Sequence, residues 1–294
     1  MTSRRFFIKS ASLLSAGVII KPSLLKHDKK YIGLQLYTVR DAMQQDPAGT
    51  LAKVAQIGYN SVEGATYTGT QKFYGMEPSA FATLLKQNGF IMPSSHYRLG
   101  EEKMKNEIVK GTLLHEWDKA VDDAAAVGIK YMVCAYLSEA ERGGVDRYKY
   151  LADQFNKAGE RCKKAGIQFC YHNHDFEFME QQGQLPYTIL LQNTDKDLVK
   201  MELDLYWVAK AGHDSITLFS EHPGRFPLWH VKDMDTTPEH AFTEVGSGSI
   251  DFKKIFAQEE KAGLKYFFVE QDKTPGSPFD SISKSVNYIK KNLI

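Results

Sequence analysis

Lys164-Ala165-Gly166-Ile167-Gln168-Phe169-Cys170-Tyr171-His172 closes a helical pattern on a glycine and opens a strand-favouring run at once. A glycine just past a helix supplies the left-handed residue that ends it. A strand starting one or two residues later marks the short αβ loop of a parallel α/β fold. The same phrase recurs at Gln56-Ile57-Gly58-Tyr59, Gln87-Asn88-Gly89-Phe90, Ala126-Val127-Gly128-Ile129 and Lys261-Ala262-Gly263-Leu264. Its spacing, roughly 30 to 40 residues, is that of successive βα units.

Outward from this phrase, apolar runs mark eight strands: 32–38, 61–64, 91–96, 131–135, 168–172, 200–204, 227–231 and 266–270. Helical patterns fall between them, among others at 117–127, 148–165, 250–262 and 281–292. Eight βα units predict an α/β chain closed as a single (β/α)8 TIM barrel rather than an open doubly wound sheet. No GxGxxG follows the first strand and no GxxxxGK[ST] occurs anywhere, which argues against a nucleotide-binding fold.

The chain of 294 residues is 43% hydrophobic and 25% charged, enough to bury one barrel core. Its 37 basic and 36 acidic residues leave a formal net charge of +1. No single-sign field is available to hold nucleic acid or an anionic membrane, so the expected partner is a small molecule of little charge. A homo-oligomer is compatible with this composition. Three cysteines, Cys134, Cys162 and Cys170, form no CxxC pair, which argues against both a disulfide framework and a structural zinc site.

The first residues depart from this pattern. Ser3-Arg4-Arg5-Phe6-Phe7-Ile8-Lys9 precedes an apolar stretch at 11–20. Paired arginines before a short apolar run resemble a twin-arginine export signal, and the run is too short to insert stably in a membrane. The expectation is a signal segment over 1–26, a barrel over 27–294 and an exported, periplasmic protein.

The strand ends carry the chemistry. Strand five runs into Tyr171-His172-Asn173-His174-Asp175 and strand six into Glu202-Leu203-Asp204. Strand seven runs into Trp229-His230-Val231-Lys232-Asp233 and strand eight into Val269-Glu270-Gln271-Asp272. In a barrel these carboxyl ends form the active face, with neighbouring strands roughly 5 Å apart. A His, an Asp, a His and a Glu on successive strands can therefore converge on one ion at about 2.0 to 2.3 Å. Two imidazoles with two carboxylates suit Mn²⁺, Co²⁺ or Zn²⁺ better than Ca²⁺ and ahead of Mg²⁺. His172 and His174 point to the same side of a strand, so either can be the strand-five ligand.

Gly58-Tyr59-x-x-Val62-Glu63, Tyr171-His172-Asn173-His174, Asp204, His230-Val231-Lys232-Asp233 and Val269-Glu270-Gln271-Asp272 together resemble the xylose-isomerase-like barrel superfamily. This is the sugar phosphate isomerase/epimerase group, which includes inosose dehydratase and the ketose 3-epimerases. The resemblance runs from about Tyr31 to Ile294. It implies a metal held at the ends of strands five to eight, carried here onto His172, Asp204, His230 and Glu270.

Ketose 3-epimerases place a Glu on strand five, opposed to the strand-eight Glu, so that a proton leaves one face and returns to the other. An imidazole stands there in this chain. The Tyr-His-x-His pattern is closer to inosose dehydratase and to exported enzymes that cleave 3-keto-glycosides. The resemblance thus implies a metal-dependent sugar isomerase or lyase that abstracts a proton next to a carbonyl, on a non-phosphorylated or oxidised carbohydrate. Glu270, His172 and Lys232 are its candidate catalytic residues, with Lys232 polarising the carbonyl or neutralising an enolate. A ketose epimerase of the same family is the alternative. A hydrolase like the endonuclease-IV barrels needs a larger His-rich cluster and a basic groove. A barrel that binds carbohydrate without catalysis belongs to a different class.

Further candidates line the expected mouth. Gln35 and Tyr37 on strand one, Glu63, His96, His174 and Trp207 are expected to touch substrate, as is Lys232. Against this stand ordinary structural roles: a salt-bridged Glu63, a loop-anchoring His96, a solvated Lys232, a packed Trp207. Gly246-Ser247-Gly248-Ser249 offers either a phosphate site before a helix or a turn capped by Ser249 or Asp251.

Overall fold

The computed structural model describes residues 31–294. The signal-segment expectation for 1–26 lies outside the described residues.

Eight parallel strands close a barrel in chain order. They are β1 (Gly33–Gln35), β2 (Ser61–Gly64), β3 (Ile91–Tyr97), β4 (Tyr131–Cys134), β5 (Gln168–His172), β6 (Val199–Asp204), β7 (Leu228–Val231) and β8 (Tyr266–Val269). Closure is made by β1 against β8, with Gly33 opposite Phe268 and Leu34 opposite Val269. Gly33 is required there. A Cβ on it would stand 2.3 Å from the Phe268 ring, so only glycine lets the phenylalanine fill the barrel floor.

Helices coat the outside through one apolar stripe each. In helix Val145–Lys164 the buried residues Tyr148, Leu151, Ala152, Phe155, Ala158 and Cys162 recur every three or four positions. Phe155 packs on two outward residues of β5, Phe169 and Tyr171, with ring centroids 5.6 and 4.9 Å away. Burying one such side chain contributes about 1.5–3 kcal/mol. The helix before β4, Trp117–Val127, ends as its glycine requires. Gly128 has φ +92°, and the next amide, Ile129, bonds back to the Ala124 carbonyl at 3.0 Å.

The barrel interior is layered because inward side chains alternate along each strand. The floor is apolar: Val133, Cys170, Leu228 and Phe268. One layer up, Gln35, Glu63, His96, Glu202 and His230 are all buried. At the mouth stand His172, Asp204, Lys232 and Glu270, buried as well. The strand register links the two layers, since His172 pairs with Glu202, and Asp204 with His230.

Three expectations change in detail. β1 stops at Gln35, because the Gln35 side chain accepts the Tyr37 amide at 3.0 Å and turns the chain into a 3₁₀ helix, Leu36–Val39. Tyr37 therefore lies outside the strand and is 40% exposed. The expected helix 250–262 is two short ones, Phe252–Phe256 and Glu259–Ala262. Among the described residues, no helix is long and apolar enough to cross a membrane.

Candidate metal centre

β5 and β6 end on His172 and Asp204, β7 carries His230 one residue before its end, and Glu270 follows β8 directly. One donor atom from each lies within 4.8 Å of the other three. His172 Nε2 is 3.3 Å from Asp204 Oδ2 and 3.2 Å from His230 Nδ1. His230 Nδ1 is 2.9 Å from Glu270 Oε2 and 3.7 Å from Asp204 Oδ2.

Outer partners aim three of these donors. His172 Nδ1 is 3.1 Å from the Ala135 carbonyl, an acceptor only, so Nδ1 carries the proton and the Nε2 lone pair faces the cluster. Asp204 Oδ1 accepts the amides of Tyr206 and Trp207 at 3.0 and 3.1 Å, capping helix Leu205–Lys210 and leaving Oδ2 to the cluster. His230 Nε2 lies 2.6 Å from Glu63 Oε2, which leaves Nδ1 for the cluster. Carboxylate or carbonyl partners behind histidines are what metal sites use to orient them. Two imidazoles and two carboxylates, all buried and converging, fit one divalent ion.

Electrostatics match this arrangement at three of the four donors. At His230 burial is outweighed by Glu202 and Glu270, which hold the ring well above its ordinary range, so its Nδ1 ligates only on giving up a proton. Burial pushes His172 down to about 4, so its ring is neutral near pH 7 and free to ligate. Burial alone would raise Asp204, but Lys232 and the hydrogen bonds from His172 and His230 hold it well below its ordinary range. Glu270 is lowered too, by Lys232 and His230 against burial.

Lys232 is not the solvated loop lysine of the alternative reading. Its ammonium is buried, 2.7 Å from Glu270 Oε2, 3.1 Å from Asp204 Oδ2 and 3.0 Å from Asp272 Oδ2.

The other sequence candidates separate into two groups. His174 lies past the end of β5 and outside the donor set, its ring 5.0 Å from His172 and 5.4 Å from Trp207. His174 Nδ1 and Trp207 Nε1 are buried without a hydrogen-bond partner, side by side at the cluster's edge. Gln35, Glu63 and His96 point into the layer beneath. There Gln35 Nε2 donates to Glu63 Oε2 at 2.8 Å, and His96 Nε2 is 2.8 Å from Glu202 Oε2.

The structure decides the alternatives at 246–249. Asp233 already fills that loop, its carboxylate accepting the amides of Gly246, Gly248 and Ile250 at 2.8, 3.0 and 3.2 Å. A phosphate would have to displace a buried carboxylate. Asp251 caps the next helix through the Lys254 amide at 3.2 Å.

Sequence reasoning assigned no role to Glu202, Asp272 or Asp233. Glu202 was within reach of the period-two rule, because it lies two residues before the inward-facing Asp204. Asp233 could not be found that way, since its partners are amides 13 to 17 residues later in a loop.

Comparisons agree with the architecture. The chain is 26% identical over 200 residues to inosose dehydratase from Lacticaseibacillus casei, a match covering 57% of this chain and 66% of that enzyme. It is 25% identical over 223 residues to inosose dehydratase from Clostridium beijerinckii, covering 65% and 71%. The match thus spans just under two thirds of the first relative's length. A sugar phosphate isomerase/epimerase structure from Parabacteroides distasonis superposes with a TM-score of 0.77 at 29% identity, covering 90% of this chain and 94% of that one. The IOLI protein, solved with a zinc atom, shares the fold at a TM-score of 0.68 and 14% identity, over 88% and 97% of the two chains. The xylose isomerase-like TIM barrel family matches residues 51–292. With that match over a closed eight-stranded barrel, the chain belongs to the xylose isomerase-like TIM barrel family.

Proposed function

We propose that this protein is a metal-dependent lyase or isomerase acting on a non-phosphorylated or oxidised sugar by removing a proton next to a carbonyl. The carrying observation is the convergence of His172 Nε2, Asp204 Oδ2, His230 Nδ1 and Glu270 Oε2 beside the Lys232 ammonium at the barrel mouth. These four atoms would hold one Mn²⁺, Co²⁺ or Zn²⁺, which supplies Lewis-acid polarisation of the substrate's hydroxy-ketone oxygens. The zinc in the IOLI structure and the names of the dehydratase relatives support this reading.

Glu270, held ionised by Lys232 and His230, takes the proton from the carbon beside the carbonyl. The C–H electrons move onto the carbonyl oxygen as the enediolate forms. Lys232 donates a hydrogen bond to that oxygen as its charge builds. In elimination those electrons return and expel a substituent on the next carbon. In isomerisation the proton returns to the neighbouring carbon. His174 and Trp207, with unpartnered ring nitrogens, bind the sugar's hydroxyls at the edge of the cluster.

His172 bears on the epimerase alternative. Its Nδ1–H is committed to Ala135 and its Nε2 to the donor cluster, so no second acid/base group opposes Glu270 from β5. We further propose export to the periplasm, supported by Arg4-Arg5 and the apolar run at 11–20.

Incubation of the Mn²⁺- or Co²⁺-supplemented protein with 3-keto-glycosides, inososes and free ketoses in D₂O, followed by NMR, tests the reaction. Loss of a substituent identifies elimination, and deuterium gained without cleavage identifies isomerisation. If no substrate turns over and no divalent ion binds, the enzyme reading fails in favour of a sugar-binding barrel.

A further inference from the structure

Beneath the four candidate donors lies a second buried cluster, made of Glu63, His96, Glu202 and, again, His230. Barrel interiors are usually filled by bulky apolar side chains. Four ionisable groups in their place are costly to desolvate, and well-packed apolar residues would be no less stable. The layer therefore calls for a role other than stability.

Its geometry is a closed ring alternating imidazole and carboxylate. His230 Nε2 is 2.6 Å from Glu63 Oε2, which is 3.4 Å from His96 Nε2. His96 Nε2 is 2.8 Å from Glu202 Oε2, which is 3.4 Å from His230 Nε2. Four donors around a tetrahedral ion with bonds near 2.0–2.1 Å would stand roughly 3.3 Å apart on every side. The observed short–long alternation is instead that of two hydrogen-bonded imidazole–carboxylate pairs laid side by side. Gln35 Nε2 braces the ring from β1 at 2.8 Å from Glu63 Oε2.

His230 is the residue the two layers share. Its Nδ1 faces Glu270 and Asp204, and its Nε2 faces Glu63 and Glu202. Ligation through Nδ1 requires the neutral imidazole, and the carboxylates above and below compete for its one proton. If the upper pair drew it to Nδ1, that atom could not ligate. The shortest contact, to Glu63, lies on the lower side.

We propose that Glu63, Glu202 and His96 are positioning residues for metal binding. Glu63 and Glu202 draw the His230 proton to Nε2, so that the Nδ1 lone pair faces the upper cluster. His96, bonded to Glu202 and close to Glu63, holds the two carboxylates in place without touching the ion or the substrate. The inference rests on the metal reading above and assigns it a supporting layer drawn from β2, β3 and β6.

The test compares wild type, Glu63→Gln, Glu202→Gln and His96→Gln by Co²⁺ titration followed in the visible spectrum. Thermal unfolding of each metal-free protein runs in parallel. Glu63→Gln is expected to weaken Co²⁺ binding about 10- to 100-fold, the usual cost of losing such an outer partner. Its metal-free unfolding midpoint falls by a few degrees at most, too little to account for that loss of affinity, because Gln keeps an acceptor for His230. In the zinc-loaded, histidine-¹⁵N-labelled protein, the His230 Nε2 proton is slow to exchange in wild type and fast in Glu63→Gln.

Unchanged affinity in all three variants, or affinity losses that merely track lost metal-free stability, would overturn the proposal. So would two metal equivalents in wild type with one lost in each variant, because the ring would then be a metal site itself. If Glu63→Gln does not fold, Glu202→Gln and His96→Gln decide the question by the same readouts. A wild type that binds no divalent ion fails the metal reading first and takes this inference with it.

Discussion

The Lys232 ammonium stands 2.7 Å from Glu270 Oε2, against the same oxygen that completes the candidate donor set. It also contacts Asp204 Oδ2, so one lysine partly neutralises two of the four donors. A divalent ion entering the cluster meets that positive charge at close range. Lys232→Met should therefore bind Co²⁺ more tightly than wild type while losing turnover. Its metal-free form should unfold several degrees lower, because Asp204 and Glu270 are left buried, and Asp272 half-buried, without their cation. Isothermal titration and metal-free melting curves check both signs. Weaker binding by Lys232→Met would refute the competition.

Asp204 works through both of its oxygens, Oδ1 as a helix cap and Oδ2 as a candidate donor. Asn keeps the capping acceptor and loses the anionic donor. Asp204→Asn is expected to lower metal affinity at least about 100-fold with little change in metal-free stability. Asp204→Ala should lose a further ~1 kcal/mol of stability through the cap. Equal affinities in wild type and Asp204→Asn would move the metal site elsewhere.

Asp233 is buried and accepts four backbone amides, those of Met234, Gly246, Gly248 and Ile250. Removing the carboxylate takes the common acceptor from all four in a half-buried loop. Asp233→Ala should cost about 2–4 kcal/mol in urea unfolding, and added phosphate should not restore it. Recovery of stability by millimolar phosphate would revive the anion-site reading of 246–249.

Burial pushes the Glu177 carboxyl from an ordinary value near 4.5 up to about 7, against hydrogen bonds from the Tyr171 hydroxyl and the His174 amide that lower it. The unfolded chain ionises this group near 4.5 and the folded chain only near 7. Between those values the folded state binds the extra proton, so stability present below pH 4.5 is lost as pH rises through 7. The loss amounts to about 3 kcal/mol at most. Glu177→Gln should lack this part of the slope. Parallel urea titrations of the two proteins at pH 5 and pH 8 measure it, and identical slopes would rule it out.

Much of this was legible in one dimension. Strands 61–64 and 168–172 and helix 117–127 have the bounds that their residue patterns indicate. Apolar periodicity and a following glycine are local signals, and each element obeys them. The first strand ran long on paper because its end depends on a side chain, Gln35, bonding an amide two residues ahead. The two-residue alternation that puts His230 and Lys232 on one side holds equally for Glu202 and Asp204.

The sequence by itself determined that eight βα units close into a barrel and that His172, Asp204, His230 and Glu270 reach its carboxyl face. Those properties follow from periodicity, glycine placement and strand order. Only the tertiary structure chose His172 over His174 for the donor cluster, buried Lys232 among three carboxylates, filled the glycine loop with Asp233, and linked Glu202 to Glu63 through two imidazoles. Each of these depends on which nitrogen, oxygen or amide from a distant segment arrives within about 3 Å. Hydrogen-bond and ion-pair energies fall away steeply beyond that distance, and spacing along the chain does not encode it.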